Sequence, residues 1–486
     1  MSIAGAESTR LIQVTAGNIR NSHVYITGHH DFFPSECFGQ PRRSANGNGH
    51  HIHIHLDGLD RVVDTDIGKD AKTGEPRREF RGRKWVREFF QWHGTKPGDV
   101  LELRRCGPNS YRLKPLTSSP TFRMVEFFAG IGLVRLALAD HFKVVFANDI
   151  DPAKLRMYGD NFETDHFSLG DIRKLSGDDI PDCQLVTASF PCTDLSIAGA
   201  MNGIHSGESS AFWGLVTLLT EMGRRLPPLV LLENVPGFLM SHGGNDLAAA
   251  LAALNGLGYA TDAFFLDAAR FVPQSRLRLF IVGRLGGVGG STFGCQASVL
   301  RTGTLANFIQ SHGEINWSIR ELPEPPRRAL TLPEIIEDVP HDDPAWWNPD
   351  RKAYFLNQLS DRHMAVAKRM LAGTRLTYAT AFRRVRKGRS MAELRTDGLA
   401  GCLRTPRGGS GRQILFAAGK GRCQVRLLTA RECARLQGVP ETYKINVPLN
   451  QALFGFGDAV CVPAVKWIAD NYLLPCLAHP TPAETR

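Results

Sequence analysis

At 486 residues, 43% hydrophobic and 22% charged, the chain has an ordinary globular composition and length for two to four domains of about 150 residues each. No run of 18 or more apolar residues and no signal-peptide pattern in "MSIAGAESTRLIQV" argues against a membrane span or export, and a cytosolic protein is expected. A net charge of +10 favours a polyanionic partner, and ten cysteines without a C-x-x-C pair exclude a zinc ribbon and fit reduced thiols.

In chain order, the first 116 residues read as one domain. "NSHVYITGHHDFFP" is expected to supply its first strand and loop. "HHIHIH" (His50 to His55) alternates, which puts His51, His53 and His55 on one strand face and Ile52 and Ile54 on the other. A solvated face beside a buried one explains the run without a metal. "REFRGRKWVREFFQWHGTKPGDVLELRR" (Arg78 to Arg105) reads as a short aromatic helix, then a turn into a strand. On these stretches the segment resembles a B3-like DNA-binding domain. That resemblance implies a mainly β pseudobarrel whose two loop arms grip the major groove. Asn18, Arg20 and His23 would lie on one arm and Arg77, Arg81 and Arg83 on the other. "KPLTSSPTF" reads as a linker, assigned to residues 117–122.

From Arg123 to Arg284, apolar runs ("RMVEFF", "FKVVFAN", "CQLVTAS", "PLVLLEN", "RLFIVG") alternate with helical stretches, the pattern of a parallel α/β sheet. In "VEFFAGIGLVRLAL", Gly130 and Gly132 stand where a strand leaves the sheet, and glycine there lets a ligand approach the backbone. Asp149 ends the next strand and suits ribose hydroxyls. Asp171 in "LGDIRKL" follows the third and could reach an adenine amine. The spacing suggests an adenosine-containing cofactor, and no Walker motif supports ATP hydrolysis. "ASFPCTDLS" places Cys192 after a fourth strand, and "LLENVPGF" brings Glu233 and Asn234 to the same edge. By position alone Cys192 is either a packing thiol or a nucleophile. In "RFVPQSRLRLFIVG", alternation places Arg276 and Arg278 on one face.

These motifs, with "RLLTARECARLQGVP" (Arg426 to Pro440) and "FGDAVCVPAV" (Phe456 to Val465), resemble the DNA (cytosine-5) methyltransferase family (EC 2.1.1.37) over about residues 123–476. The resemblance implies a Rossmann-like catalytic domain from 123–284 and 426–476, with S-adenosyl-L-methionine as methyl donor. Cys192 would add to C6 of a flipped-out cytosine, Glu233 would serve N3, Arg278 would hold O2 and Arg276 would support the pocket. Phe128, Ala129, Gly130, Gly132, Asp149, Ile150, Asp171, Ile172, Pro191, Asp458 and Val460 would line the cofactor. "IAGAMNGIHSGESS" resembles the loop that closes over the flipped base. Four positions depart from the family pattern: Glu126 for Asp, Leu133 for Gly, Asp149 for Glu and Asp458 for Asn. They bear on cofactor contacts rather than on reacting groups.

Residues 285–425 are expected to be an irregular target-recognition region, rich in Gly and Pro. From Arg375 to Arg426 it carries 13 Lys/Arg against two acids, Glu393 and Asp397. Arginine reads base edges and phosphates, and Arg383, Arg384, Arg386, Arg404, Arg407, Arg412 and Gln413 are the candidate DNA contacts. Residues 477–486 read as a flexible tail. The expected protein is a site-specific, monomeric modification enzyme of a bacterial restriction–modification system, acting on double-stranded DNA. A cognate endonuclease could be encoded nearby without forming a stable complex. An RNA cytosine methyltransferase and a silent DNA-binding regulator are the competing readings. The basic recognition region argues against the first, and intact Cys192, Glu233 and Arg278 argue against the second.

Overall fold

The structure, a computed structural model, describes residues 9–39, 51–57, 59, 61–93, 95–116, 122–191, 204, 207–287, 296–386, 388–405 and 411–478. Its contacts divide the chain into two units, Met1–Thr121 and Phe122–Arg486.

The first unit holds strands β1 (Thr9–Gln13), β2 (Phe38–Gly39), β3 (Ile52–Leu56), β4 (Arg61–Thr65), β5 (Ile67–Lys69), β6 (Pro76–Phe80), β7 (Val100–Arg105) and β8 (Ser110–Leu116). They form a five-stranded sheet, β1-β7-β8-β3-β4, and a three-stranded one, β2-β5-β6. Alternation in β3 buries Ile52, Ile54 and Leu56 and turns His53 and His55 outward, where His53 meets Asp64 at 2.6 Å. Helix Lys84–Trp92 buries Trp85, Val86, Phe89 and Phe90, the stripe that a 3.6-residue period gives. The first strand lies earlier than expected, at Thr9–Gln13. The stretch expected to form it contributes a single bridge, Tyr25 to Glu79. Ser22, at φ 52°, closes helix Ala16–Asn21 there and turns the chain away from extended pairing.

In the second unit, β9 (Phe122–Phe127), β10 (Phe142–Asp149), β11 (Phe167–Leu169), β12 (Leu185–Ala188), β13 (Leu229–Asn234), β14 (Tyr259–Asp267) and β15 (Leu277–Leu285) form one sheet in the order β11-β10-β9-β12-β13-β15-β14. The first five are parallel, and β15 runs antiparallel to both β13 and β14. The sheet is therefore mixed, not wholly parallel as the alternating runs suggest. Its central strands are buried on both faces, which requires continuous apolar runs. Met124, Leu185, Leu229 and Leu231 pack into one core; Val125, Val186, Val230 and Leu232 pack into the other. The helical run 449–478 is long and apolar enough to cross a membrane, but 67% of its most apolar window is buried inside this unit.

Residues 285–425, expected to be an irregular recognition region, are more regular than their composition implies. Strands β16 (Thr377–Arg386), β17 (Arg389–Arg395), β18 (Ile414–Gly419) and β19 (Arg422–Leu427) form an antiparallel sheet, β17-β16-β18-β19. Trp347, Phe355, Leu359 and Ala367, from the segment before it, pack on Ala379, Ala381, Phe416 and Val425. Small alternating alanines, not long aliphatic runs, make this sheet face, so its strands escape a search for apolar stretches.

Candidate active site

The strand order reverses between β9 and β12: the chain winds outward through β10 and β11 on one side and through β13 on the other. Ligands of open α/β sheets bind at such a switch point, outside the carboxyl ends of the strands. The glycine loop leaves β9 there, and the segment Ser189–Pro191 leaves β12 beside it, since Ala188 pairs with both Phe127 and Leu232. Asn234 ends β13 and donates from Nδ2 to the Phe190 carbonyl at 3.2 Å, fixing the chain two residues before Cys192. Cys192 lies outside the described residues, as do 193–196 and, in the expected closing loop, 197–203 and 205–206.

Glu233 and Arg278 meet at this edge. Glu233 pairs with Phe280 across β13 and β15, so Arg278 is its diagonal neighbour on the same face. Arg278 Nε lies 2.9 Å from Glu233 Oε1, with both side chains at most 15% exposed. Arg278 also donates to the Leu277 carbonyl and reaches Cys402 Sγ at 3.8 Å. Arg276 is fully buried, and its guanidinium donates to the carbonyls of Leu403 (2.8 Å), Gly457 (3.1 Å) and Ala459 (2.6 Å) and to Cys402 Sγ (3.4 Å). Those bonds hold its side chain in place. It ties the recognition region and the closing helices to the start of β15.

Cys402 was not anticipated. Burial pushes its thiol up, but Arg276, Arg278 and Arg404 outweigh that and bring it down to about 7. Gln274, the first residue of Gln-x-Arg-x-Arg, is also buried. It accepts from the Leu403 amide (2.9 Å) and donates to the Leu436 carbonyl (2.7 Å). Ser275 donates to the Ala400 carbonyl and Ala400 to that of Pro273, so the stretch 400–403 lies strand-like along 273–275. In the sequence, Gln274 at the head of Gln-x-Arg-x-Arg is the signal that could have pointed to this seam.

On the β9–β10 side, Phe128, Gly130 and Gly132 have φ of 56°, 56° and 79°. At Gly132 a Cβ would stand 2.6 Å from Phe162 and 2.9 Å from Tyr158, so packing demands glycine. At Gly130 a Cβ would meet nothing nearer than 3.9 Å, so the loop is open above it. Asp149 is buried and fixed by the amides of Gly130 (2.8 Å, to Oδ2) and Asp151 (2.9 Å, to Oδ1). Its remaining lone pairs can accept from hydroxyls. Ile150 beside it is 65% exposed, an apolar surface at the mouth of the site. Asp171 caps a helical turn and is forked by Arg173, whose hydrogen bonds hold its carboxyl below the usual range. Asp458 pairs with Lys154 at 2.7 Å. Ile172 is a core side chain with almost no surface. Ala129 and Val460 are buried too, leaving only their backbone for a ligand. Glu126, buried among apolar groups with Oε2 unpartnered, is pushed up by burial to about 8.

The candidate DNA contacts divide. Arg404 is exposed. Arg384 and Arg386 share Glu393, at 3.8 and 2.8 Å. Arg383 and Arg412 have neutral partners, Gln358 and Asn450. Gln413 is buried against Gly401, whose amide it accepts, so it holds the fold and cannot reach a base. Arg407 lies outside the described residues. In the first unit, Arg20, Arg77 and Arg83 are exposed, and Arg83 Nε meets His23 Nε2 at 2.9 Å. Asn18 is buried as the capping partner of Thr15, and Arg81 is paired inward with Asp66 at 2.8 Å. Neither is placed to read DNA.

The sequence pattern of the C-5 cytosine-specific DNA methylase family matches residues 122–473. The type II methyltransferase M.HaeII of Haemophilus aegyptius is 29% identical over 354 residues, 72% of this chain and 93% of its own length. M.HhaI of Haemophilus parahaemolyticus is 27% identical over 356 residues, 72% of this chain and 93% of its own. The crystal structure of S. pombe Dnmt2 methyltransferase shares the fold, with a TM-score of 0.50 and 21% identity over 74% of this chain and all of its own. The methyl donor of this family is S-adenosyl-L-methionine. The open glycine loop, the fixed Asp149 carboxylate and the exposed Ile150 suit its adenosine half. With 352 of its 486 residues matched, the chain belongs to the C-5 cytosine-specific DNA methylases and is a DNA (cytosine-5-)-methyltransferase.

Proposed function

We propose that this enzyme methylates cytosine within a specific site of double-stranded DNA, as the modification partner in a bacterial restriction–modification system. The observation that carries the reading is the Glu233–Arg278 pair beside the chain leading into Cys192, at the switch point of the sheet. S-adenosyl-L-methionine, when bound, supplies a sulfonium methyl group. The residues of the chain prepare the acceptor. C5 of cytosine is a poor nucleophile, and addition of the Cys192 thiolate at C6 makes it enamine-like. Glu233 protonates or hydrogen-bonds N3 as charge develops, and Arg278 holds O2 while fixing the Glu233 carboxyl. Once the methyl group is on C5, loss of the C5 proton lets the C6–S bond break and returns the thiolate. The target must leave the base stack to meet these groups.

The first unit then serves as an additional B3-like DNA-binding domain. Its mixed β architecture, and His23 set beside Arg83 with Arg20 and Arg77 exposed, support that role. The enzyme works as a cytoplasmic monomer and needs no stable complex with its endonuclease.

DNA containing 5-fluorocytosine tests the reaction, because fluorine at C5 cannot leave as a proton does. With S-adenosyl-L-methionine, a denaturation-resistant protein–DNA adduct is expected, and it should vanish in Cys192→Ala. An adduct with RNA and none with DNA would transfer the enzyme to RNA. No adduct with either would leave a silent reader.

A further inference from the structure

Several arginines around the recognition sheet are matched by acids: Arg384 and Arg386 by Glu393, Arg395 by Asp397, Arg435 by Glu441. Three that share one cavity are not. Arg351, Arg383 and Arg412 converge on a cavity of about 290 Å³ whose walls they share with Ile414 and Leu427. Each is held by neutral groups. Arg351 lies 4.2 Å from the centre of the Trp347 ring. Arg383 lies 5.4 Å from the same ring and 5.9 Å from that of Tyr354, and donates to Gln358 Oε1 at 3.0 Å. Arg412 donates to Asn450 Oδ1 at 2.7 Å, while its Nε is buried without a partner. Among the described residues, no carboxylate stands within 4.0 Å of any of the three guanidinium groups.

Like charges gathered in one cavity repel, and neutral partners orient them without offsetting the repulsion. Burial and the neighbouring Arg351 pull the Arg383 guanidinium down, as expected for charge confined without a counter-ion. An anion relieves this. A guanine edge is neutral and satisfies one bidentate arginine, leaving the other two unmatched. A phosphodiester brings a full negative charge and two oxygens that accept from several N–H groups at once. The arginines come from three separate elements: helix Pro349–Asn357, strand β16 and the approach to β18. The aromatic face of Trp347 fixes two of them in place.

We propose that Arg351, Arg383 and Arg412 form a clamp for one backbone phosphate of the DNA substrate, which sets the register of the recognition sheet on the duplex. The inference rests on the reading that this region faces duplex DNA. Arg351 and Trp347 lie outside the basic stretch that the sequence singles out, so charge counting does not find the clamp.

The test is the salt dependence of binding by the full-length protein to two fluorescein-labelled duplexes, one carrying the methylated site and one random. Arg351→Gln should make the slope of log K against log salt shallower, by at most about 0.9, the contribution of one phosphate contact. It should weaken both duplexes by the same factor. Arg351→Lys should keep the slope, since it keeps the charge. Arg412→Gln repeats the measurement from a second element, so a local folding defect in the helix is told apart. An unchanged slope in both glutamine variants overturns the clamp, and a loss confined to the site-bearing duplex assigns Arg351 to base reading instead. Adduct formation on 5-fluorocytosine DNA by the unaltered enzyme separates the two layers. If the adduct forms and the slope does not move, only the clamp falls; if wild type neither traps nor binds DNA, both fall.

Discussion

At the carboxyl end of β13 and the start of β15, arginine meets an acid or a row of carbonyls, whereas around the recognition sheet Arg351, Arg383 and Arg412 meet only neutral groups. The two settings use the same side chain for different ends. Arg278 and Arg276 have their hydrogen bonds made in advance, so their geometry is preset and their removal disturbs what is already built. Arg351, Arg383 and Arg412 carry charge unmatched by an acid, and on the proposed clamp their removal is felt when an anion arrives. A basic composition does not distinguish the two; partner identity does.

The sharpest way to break this contrast is at Glu233. Glu233→Gln keeps an acceptor for Arg278 but removes the charge and the proton that the acid can give. The rate of methyl transfer to DNA should fall by about 10²- to 10⁴-fold in single turnover, the usual span for a lost acid–base group, while DNA binding keeps its salt slope. A rate within a few-fold of wild type would make the Glu233–Arg278 pair a structural bond only. Next comes Arg276. Arg276→Ala removes the guanidinium hydrogen bonds to the carbonyls of Leu403, Gly457 and Ala459, at about 1 kcal/mol each. A stability loss of about 3 kcal/mol should appear as a lower urea midpoint, and Arg276→Lys should not restore it because one ammonium cannot span all three. Full stability in Arg276→Ala would remove the case for a preset tie.

A third test concerns a charge held off altogether. Glu126 has a folded pKa raised from 4.5 to about 8, so the folded state holds a proton there that the unfolded chain releases. Stability from the protonated form is complete below about 4.5 and is lost as pH rises through about 8. Glu126→Gln lacks that loss, and its melting temperature should gain on wild type between those two values. A gap between the two that stays constant with pH would mean that Glu126 is already ionised in the fold.

Much of the catalytic sheet was legible because central strands buried on both faces must be continuously apolar, as in Leu229 to Asn234. The acids and arginine at its edge were legible for the same reason: polar residues that end an apolar run stand at the end of a strand. The recognition sheet was not, since its buried face is built from Ala379, Ala381, Ala392 and Ala418, which carry little hydrophobic signal. Nor was Cys402, whose surroundings come from strands more than a hundred residues away in sequence. Among the basic residues, sequence spacing could not separate Arg81, turned inward to Asp66, from Arg83 two positions on, which is exposed.

The seam at 400–403 has a bearing on how such an enzyme could acquire a new target. These four residues lie along 273–275 through backbone bonds and are locked by Gln274 and Arg276, so they belong mechanically to the methyl-transfer machinery although they sit within the recognition region. A transplant of specificity should therefore leave the seam with the host and exchange what precedes it, from about residue 296 to 399. A graft cut beyond it would import a foreign neighbour for Arg278 and should lose rate before it gains a site.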